Sequence, residues 1–135
     1  CGVPAGLGSH IPEVIAQAEE KQWETDFYMC CFYNLARTFK PYQAVANTTV
    51  TDEQFIDCDP DIMTDIIRQV KKPCLGFKIM AAGRKCRTKQ DVKKSFEYAF
   101  KNIKPIDAVV VGMFQKYKNQ VKENAQIVRE IFKSK

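Results

Sequence analysis

Four times along this chain a short apolar run is followed by an amphipathic segment of helical period. The apolar runs are Val3-Pro4-Ala5-Gly6-Leu7, Asp26-Phe27-Tyr28-Met29-Cys30-Cys31, Cys74-Leu75-Gly76-Phe77-Lys78-Ile79-Met80 and Asp107-Ala108-Val109-Val110-Val111. Strand alternating with helix argues for a parallel sheet with helices packed on it. Four such units are half of a TIM-type (βα)8 barrel. The chain opens on Cys1 rather than Met and enters a strand within a few residues. The expectation is therefore an α/β fold, one domain over residues 1–135, forming the C-terminal half of a longer barrel chain. Half a barrel leaves two open edges, and open edges pair with something. Here that is the missing N-terminal half or a second copy.

The helices show their own signals. Pro12 suits the first turn of a helix whose apolar stripe is Val14, Ile15 and Ala18. Asp59 reads as an N-cap with Pro60 as first helical residue, and Ile62, Met63, Ile66, Ile67 and Val70 face inward. Thr88 and Asp91 form a capping-box-like start, with Asp in place of Glu. Val92, Phe96, Ala99, Phe100 and Ile103 follow at helical spacing. The last helix carries Val121, Ala125, Val128 and Phe132. These stripes read as core.

Residues 35–58 break the alternation. Structureless loops longer than about 15 residues are uncommon and often functional. The segment is a candidate lid with Arg37, Phe39, Tyr42 and Phe55, or else a disordered insertion. Its Asn47-Thr48-Thr49 fits a glycosylation sequon, a short motif frequent by chance.

Charge and cysteines narrow the class. The net charge is +5, but the lysines sit at solvated helix positions with no interleaved aromatics, so nucleic acid is not an expected partner. No stretch approaches the roughly 20 apolar residues of a membrane span, so no membrane is expected either. None of the six cysteines forms a C-x-x-C pair, and no metal site is expected. Cys30 and Cys31 are adjacent in a strand and point to opposite faces. Buried free thiols suit a reducing, cytoplasmic setting.

Several side chains fall at the strand ends where barrel active sites form. Alternation in the third strand puts Leu75, Phe77 and Ile79 toward the helices, and Lys78 into the barrel. A lysine there pairs with an anion or becomes reactive. It can form a Schiff base, bind a cofactor or substrate anion, or bridge to a carboxylate of the missing half. His10, the only histidine, follows Ser9 at the end of the first strand. His10 and Lys78 are the catalytic candidates. Tyr33 and Asn34 end the second strand. Gly83 and Arg84 follow the third, and Gly112 and Met113 the fourth. Glycines there let backbone N–H groups approach a phosphate, and an arginine supplies charge.

Gly6-Leu7-Gly8-Ser9-His10, Tyr33-Asn34, Phe77-Lys78-Ile79-Met80-Ala81-Ala82-Gly83-Arg84, Val111-Gly112-Met113 and Gln120-x-x-Glu123-Asn124 follow in order along almost the entire chain. Together they resemble the second half of an aldo-keto reductase, closest to a divergent bacterial branch. The resemblance implies a barrel that binds NADP(H) and reduces a small-molecule carbonyl substrate. It places Ser9 and His10 at the nicotinamide carboxamide, and Lys78 to Arg84 beside the pyrophosphate. Gly112 and Met113 lie under the adenosine phosphates, and Glu123 and Asn124 near the adenine edge. The family's Asp, Tyr, Lys and His catalytic set lies in its first half and is not in this chain. Two other functions stay open on the residues alone: a lyase or isomerase barrel working through Lys78, and a barrel without enzymatic chemistry.

Overall fold

Parallel strands need crossovers, and each strand of this chain is followed by a helix able to make one. The computed structural model describes residues 2–37 and 54–133. Phe39, Tyr42, the sequon at 47–49 and Cys1 lie outside the described residues. The elements are β1 (Gly6–Ser9), α1 (Pro12–Glu20), β2 (Phe27–Cys31), α2 (Asp59–Gln69), β3 (Cys74–Phe77), α3 (Lys89–Asn102), β4 (Ala108–Val110) and α4 (Gln120–Lys133). A short 3-10 turn occupies Ala81–Gly83. The strands form one sheet in the order β1-β2-β3-β4, and every neighbouring pair is parallel. The chain is thus an α/β fold built from alternating strand and helix units. No described helix is long and apolar enough to cross a membrane.

The register decides which side chains share a face. Leu7, Tyr28 and Cys74 are level across the sheet, as are Ser9, Cys30, Gly76 and Val109. These residues face the helices, and Tyr28, Cys30 and Cys74 are fully buried. The other face carries Gly6, Gly8, Phe27, Met29, Leu75, Ala108 and Val110, all half-buried or exposed. The alternation expected for β3 is therefore off by one residue: Leu75 and Phe77 lie on the open face. The cause is local packing. A Cβ at Gly76 would stand 2.7 Å from the Phe32 ring, so a residue without a side chain must lie under Phe32. Phe32 in turn meets Tyr98 of α3 edge-on at 6.4 Å. The strand also ends earlier than expected, at Phe77, because Lys78 turns to φ 57. β1 starts later, at Gly6, and keeps Ser9 inside the strand.

The core lies between the sheet and the helices. α1 gives it Ile15 and Ala18, α2 Met63 and Ile67, α3 Phe96 and Ala99, and α4 Ile127 and Ile131. Each large side chain buried this way contributes about 1.5–3 kcal/mol. Two expected stripes shift. Ile62 is 45% exposed, because Met63 and Ile67 take the inner line of α2. On α4, Val121 and Phe132 are about half exposed while Ile127 and Ile131 are buried. The apolar arc of α4 is wider than the surface available to cover it. The start of α2 is also one residue earlier than expected. Cys58 occupies the N-cap position, Asp59 is the first helical residue, and no side chain caps the end. The start of α3 is as expected: Thr88 accepts from the Asp91 N–H while the Asp91 carboxylate accepts from the Thr88 N–H.

At the N-terminal end of the strands, Asp107 accepts from the Cys74 N–H at 2.8 Å and pairs with the Lys104 ammonium at 3.0 Å. Its hydrogen bond to Cys74 and its burial push the Cys30 thiol up, so it keeps its proton. Cys74 is held down by that bond and by Lys104, against the effect of burial. In parallel α/β sheets ligands bind at the opposite, C-terminal ends of the strands.

Candidate functional site

The backbone after β3 is the most constrained segment among the described residues. Lys78, Ala81 and Ala82 have φ of 57, 50 and 50, and Gly83 has φ 95. Left-handed backbone costs an L-residue about 1–2 kcal/mol, and clusters of it concentrate at functional sites. Hydrogen bonds hold the turn. The Ala81 N–H donates to the Lys78 carbonyl at 2.8 Å, and the N–H groups of Gly83 and Lys85 both donate to the Met80 carbonyl at 3.1 Å. Met80 at φ −99, ψ 18 is followed by Ala81 at φ 50. This pairing resembles the backbone of an anion-binding nest, but here the Ala81 N–H is already given to the Lys78 carbonyl, so the nest is filled from within the turn.

The turn borders a cavity of about 440 Å3 at the C-terminal ends of β3 and β4, lined by Phe77, Lys78, Met80, Gly83, Cys86 and Gly112. A smaller cavity of about 130 Å3 shares Met80, Cys86 and Gly112 and reaches Glu123 and Asn124 on α4. Lys78, Gly83 and Gly112 thus line one hollow, and Gly112, Glu123 and Asn124 line its neighbour. His10 meets Phe77, a wall residue, edge-on with ring centroids 5.5 Å apart, and lines neither hollow itself. At the N-terminus of α4, the Lys122 N–H donates to the Asn119 side chain at 2.9 Å, and Glu123 pairs with Lys118 at 2.7 Å.

The remaining candidates lie elsewhere. The Ser9 hydroxyl accepts from the Ile11 N–H at 2.9 Å and donates to the Ile11 carbonyl at 3.1 Å, which commits it to the turn after β1. Met113 is 42% exposed and lines an apolar groove beside α4 instead. Tyr33 and Arg84 turn toward the helix side, where both meet Phe55. The Tyr33 and Phe55 rings are 4.9 Å apart, and the Arg84 guanidinium lies 4.0 Å from the Phe55 centroid. No family model, curated protein or solved structure matches this chain.

The ends of the 35–58 segment carry side chains that strand-end reasoning did not reach. Arg37 places its guanidinium fork on Asp59, with nitrogen–oxygen distances of 2.7 and 2.5 Å. The Asp59 carboxylate is 2% exposed and also accepts the Asn34 N–H at 3.1 Å. Asp59 thus ties the segment to the end of β2. Phe55, at the returning end, lies over Tyr33, Arg84 and, at 5.8 Å, the Lys78 ammonium. Lys85 bridges to Asp57 at 3.2 Å. Burial works against the Lys85 charge, but bonding to Tyr33 and Asp57 outweighs it and raises its pKa. A basic pair flanking a lone loop Phe is the signal that could have marked this contact, since cations stack on aromatic faces.

Proposed function

We propose that this chain is the cofactor-binding half of an aldo-keto-reductase-like barrel that uses NADP(H) to reduce a small carbonyl compound. The observation that carries this is the left-handed turn from Lys78 to Gly83, facing Gly112 across one cavity. It places the Lys78 side chain on a cavity at the C-terminal end of parallel strands, where α/β folds bind phosphorylated ligands. The residues present fit a dinucleotide in part. Lys78, Gly83 and Gly112 would hold its phosphates, Glu123 and Asn124 would stand at its far end, and His10 would flank the reacting end. Ser9 and Met113 are engaged elsewhere and take no part. Bound there, NADPH would supply hydride to a carbonyl carbon. The chain's own side chains would neutralise the phosphates and fix the orientation, and the proton donor would come from the other half of the barrel.

Four consecutive parallel strands with two unpaired edges are read here as half of an eight-unit barrel. The NADPH reading is tested by fluorescence titration with the nucleotide. Saturable binding that weakens at least about tenfold in Lys78→Ala supports it. No change in fluorescence at cofactor levels well above micromolar counts against it. The lyase alternative uses the same lysine and differs in outcome, since borohydride would trap a carbonyl compound covalently on Lys78.

A further inference from the structure

We propose a second ligand site, in the cleft between α2 and α3, for a planar aromatic molecule carrying a phosphate. The cleft has a volume of about 470 Å3, within the range of small-molecule pockets. Its floor is apolar, with Phe32, Pro60, Ile79 and Tyr98. The Phe32 and Tyr98 rings meet edge to face at 77° with centroids 6.4 Å apart and present an aromatic surface to the cleft. Its rim holds Arg84, Lys85, Arg87 and Lys94 against Asp57, Asp61 and Asp91.

The rim carries four cations against three carboxylates, so it stays net positive by one charge. Asp57 pairs with Lys85 at 3.2 Å, Asp61 accepts from the Tyr98 hydroxyl, and Asp91 accepts from the Thr88 N–H at 3.0 Å. Among the described residues, no carboxylate forms an ion pair with Arg84, Arg87 or Lys94. Arg84 is held against Phe55, and all three cations are exposed. Burial and the bond to Asp61 push the Tyr98 phenol up to about 12, so it stays neutral and adds no opposing charge. Arg84, Arg87 and Lys94 above an apolar floor leave a net positive concave surface. An arginine fork matches phosphate geometry, and the aromatic floor matches a ring system.

The cleft borders the hollows assigned to the dinucleotide, sharing Ile79 with one and Arg87 with the other, and Lys94 lines the cleft alone. The probe is 1-naphthyl phosphate, followed by its own fluorescence on the full chain. It should bind saturably, and both inorganic phosphate and 1-naphthol should compete at least about tenfold more weakly. Lys94→Gln combined with Arg87→Gln should weaken the probe by about tenfold or more, with an unchanged circular dichroism spectrum. Lys78→Ala should leave probe binding unchanged while it weakens NADPH, so failure of either site is seen separately. Equal binding of probe and 1-naphthol, or probe binding indifferent to the Arg87 and Lys94 changes, would place the molecule on the open sheet face and overturn the proposal. Absence of saturable binding would overturn it as well.

Discussion

Removing the Arg37 guanidinium strands the Asp59 carboxylate inside the protein with one remaining donor, the Asn34 N–H. A buried charge that loses its partner costs far more than an exposed one. Arg37→Ala should therefore lower unfolding stability by about 1–3 kcal/mol, read as a shift of the urea midpoint. Lys118→Ala, which breaks a pair whose side chains are 57% and 44% exposed, should change the same midpoint very little. If the two variants behave alike, Arg37 is not holding a buried carboxylate. The left-handed turn gives a second contrast. Ala82 sits at φ 50, ψ 42. Glycine there removes a steric penalty of about 1–2 kcal/mol and returns part of it as unfolded-chain entropy. Ala82→Gly should thus be neutral to stabilising by up to about 1 kcal/mol, whereas Ala82→Val should destabilise by more than about 1 kcal/mol. Loss of stability on Ala82→Gly would mean the turn is not strained as described.

α1 is fastened to its neighbours by Glu19. The carboxylate accepts from the Tyr28 hydroxyl at 2.9 Å and from the Lys71 N–H at 2.8 Å. Burial alone would raise its pKa, but these bonds and the nearby lysines hold it below the ordinary 4.5. The folded state therefore binds this proton less readily than the unfolded chain, so Glu19 stabilises above pH 4.5 and loses its contribution as pH falls through the lower folded value. Glu19→Gln should cost on the order of 1 kcal/mol at neutral pH, and the gap to the wild type should close in acid. A gap that widens in acid would reverse the sign and reject this account. At α3, Thr88→Ala should cost about 1 kcal/mol through the lost cap. That cap was legible in the sequence because both partners lie within one helical turn. The packed lines of α2 and α4 were less so, since a broad apolar arc does not say which part meets a neighbour. Ile62, Val121 and Phe132 belong to that arc and stay in solvent. The facing of β3 failed for the same reason. Its answer lay with Phe32, an aromatic from another strand unit that only a small residue can sit beneath. At the candidate site, the order of the strand-end motifs was readable from glycines and charges. The withdrawal of Arg84 and Tyr33 toward Phe55 was not, because it depends on where a long segment returns.

Among the described residues, the sheet ends in two strands that each lack one neighbour, β1 and β4, both parallel to the rest. Unpaired N–H and carbonyl groups along such edges favour the addition of further strands. The face opposite the helices adds an apolar reason for association, since Phe27, Met29, Leu75 and Phe77 are only partly covered and Val110 is 45% exposed. Packing helices on both faces would relieve this, but the described helices cover one. Closing the sheet on itself with four more parallel strands relieves the edges and the face together. A two-fold axis achieves it with one further copy: β4 of each chain then lies beside β1 of the other, and both open faces turn inward. The isolated chain should therefore sediment as a dimer in equilibrium ultracentrifugation. Val110→Lys places a charge on the open face of an edge strand at a site that is already half in solvent. It should convert the dimer to monomer while the circular dichroism spectrum is retained, because the helix-side core is untouched. A wild-type chain that stays folded and strictly monomeric as concentration rises would remove the half-barrel from consideration, and with it the expectation that a second set of strands completes the site.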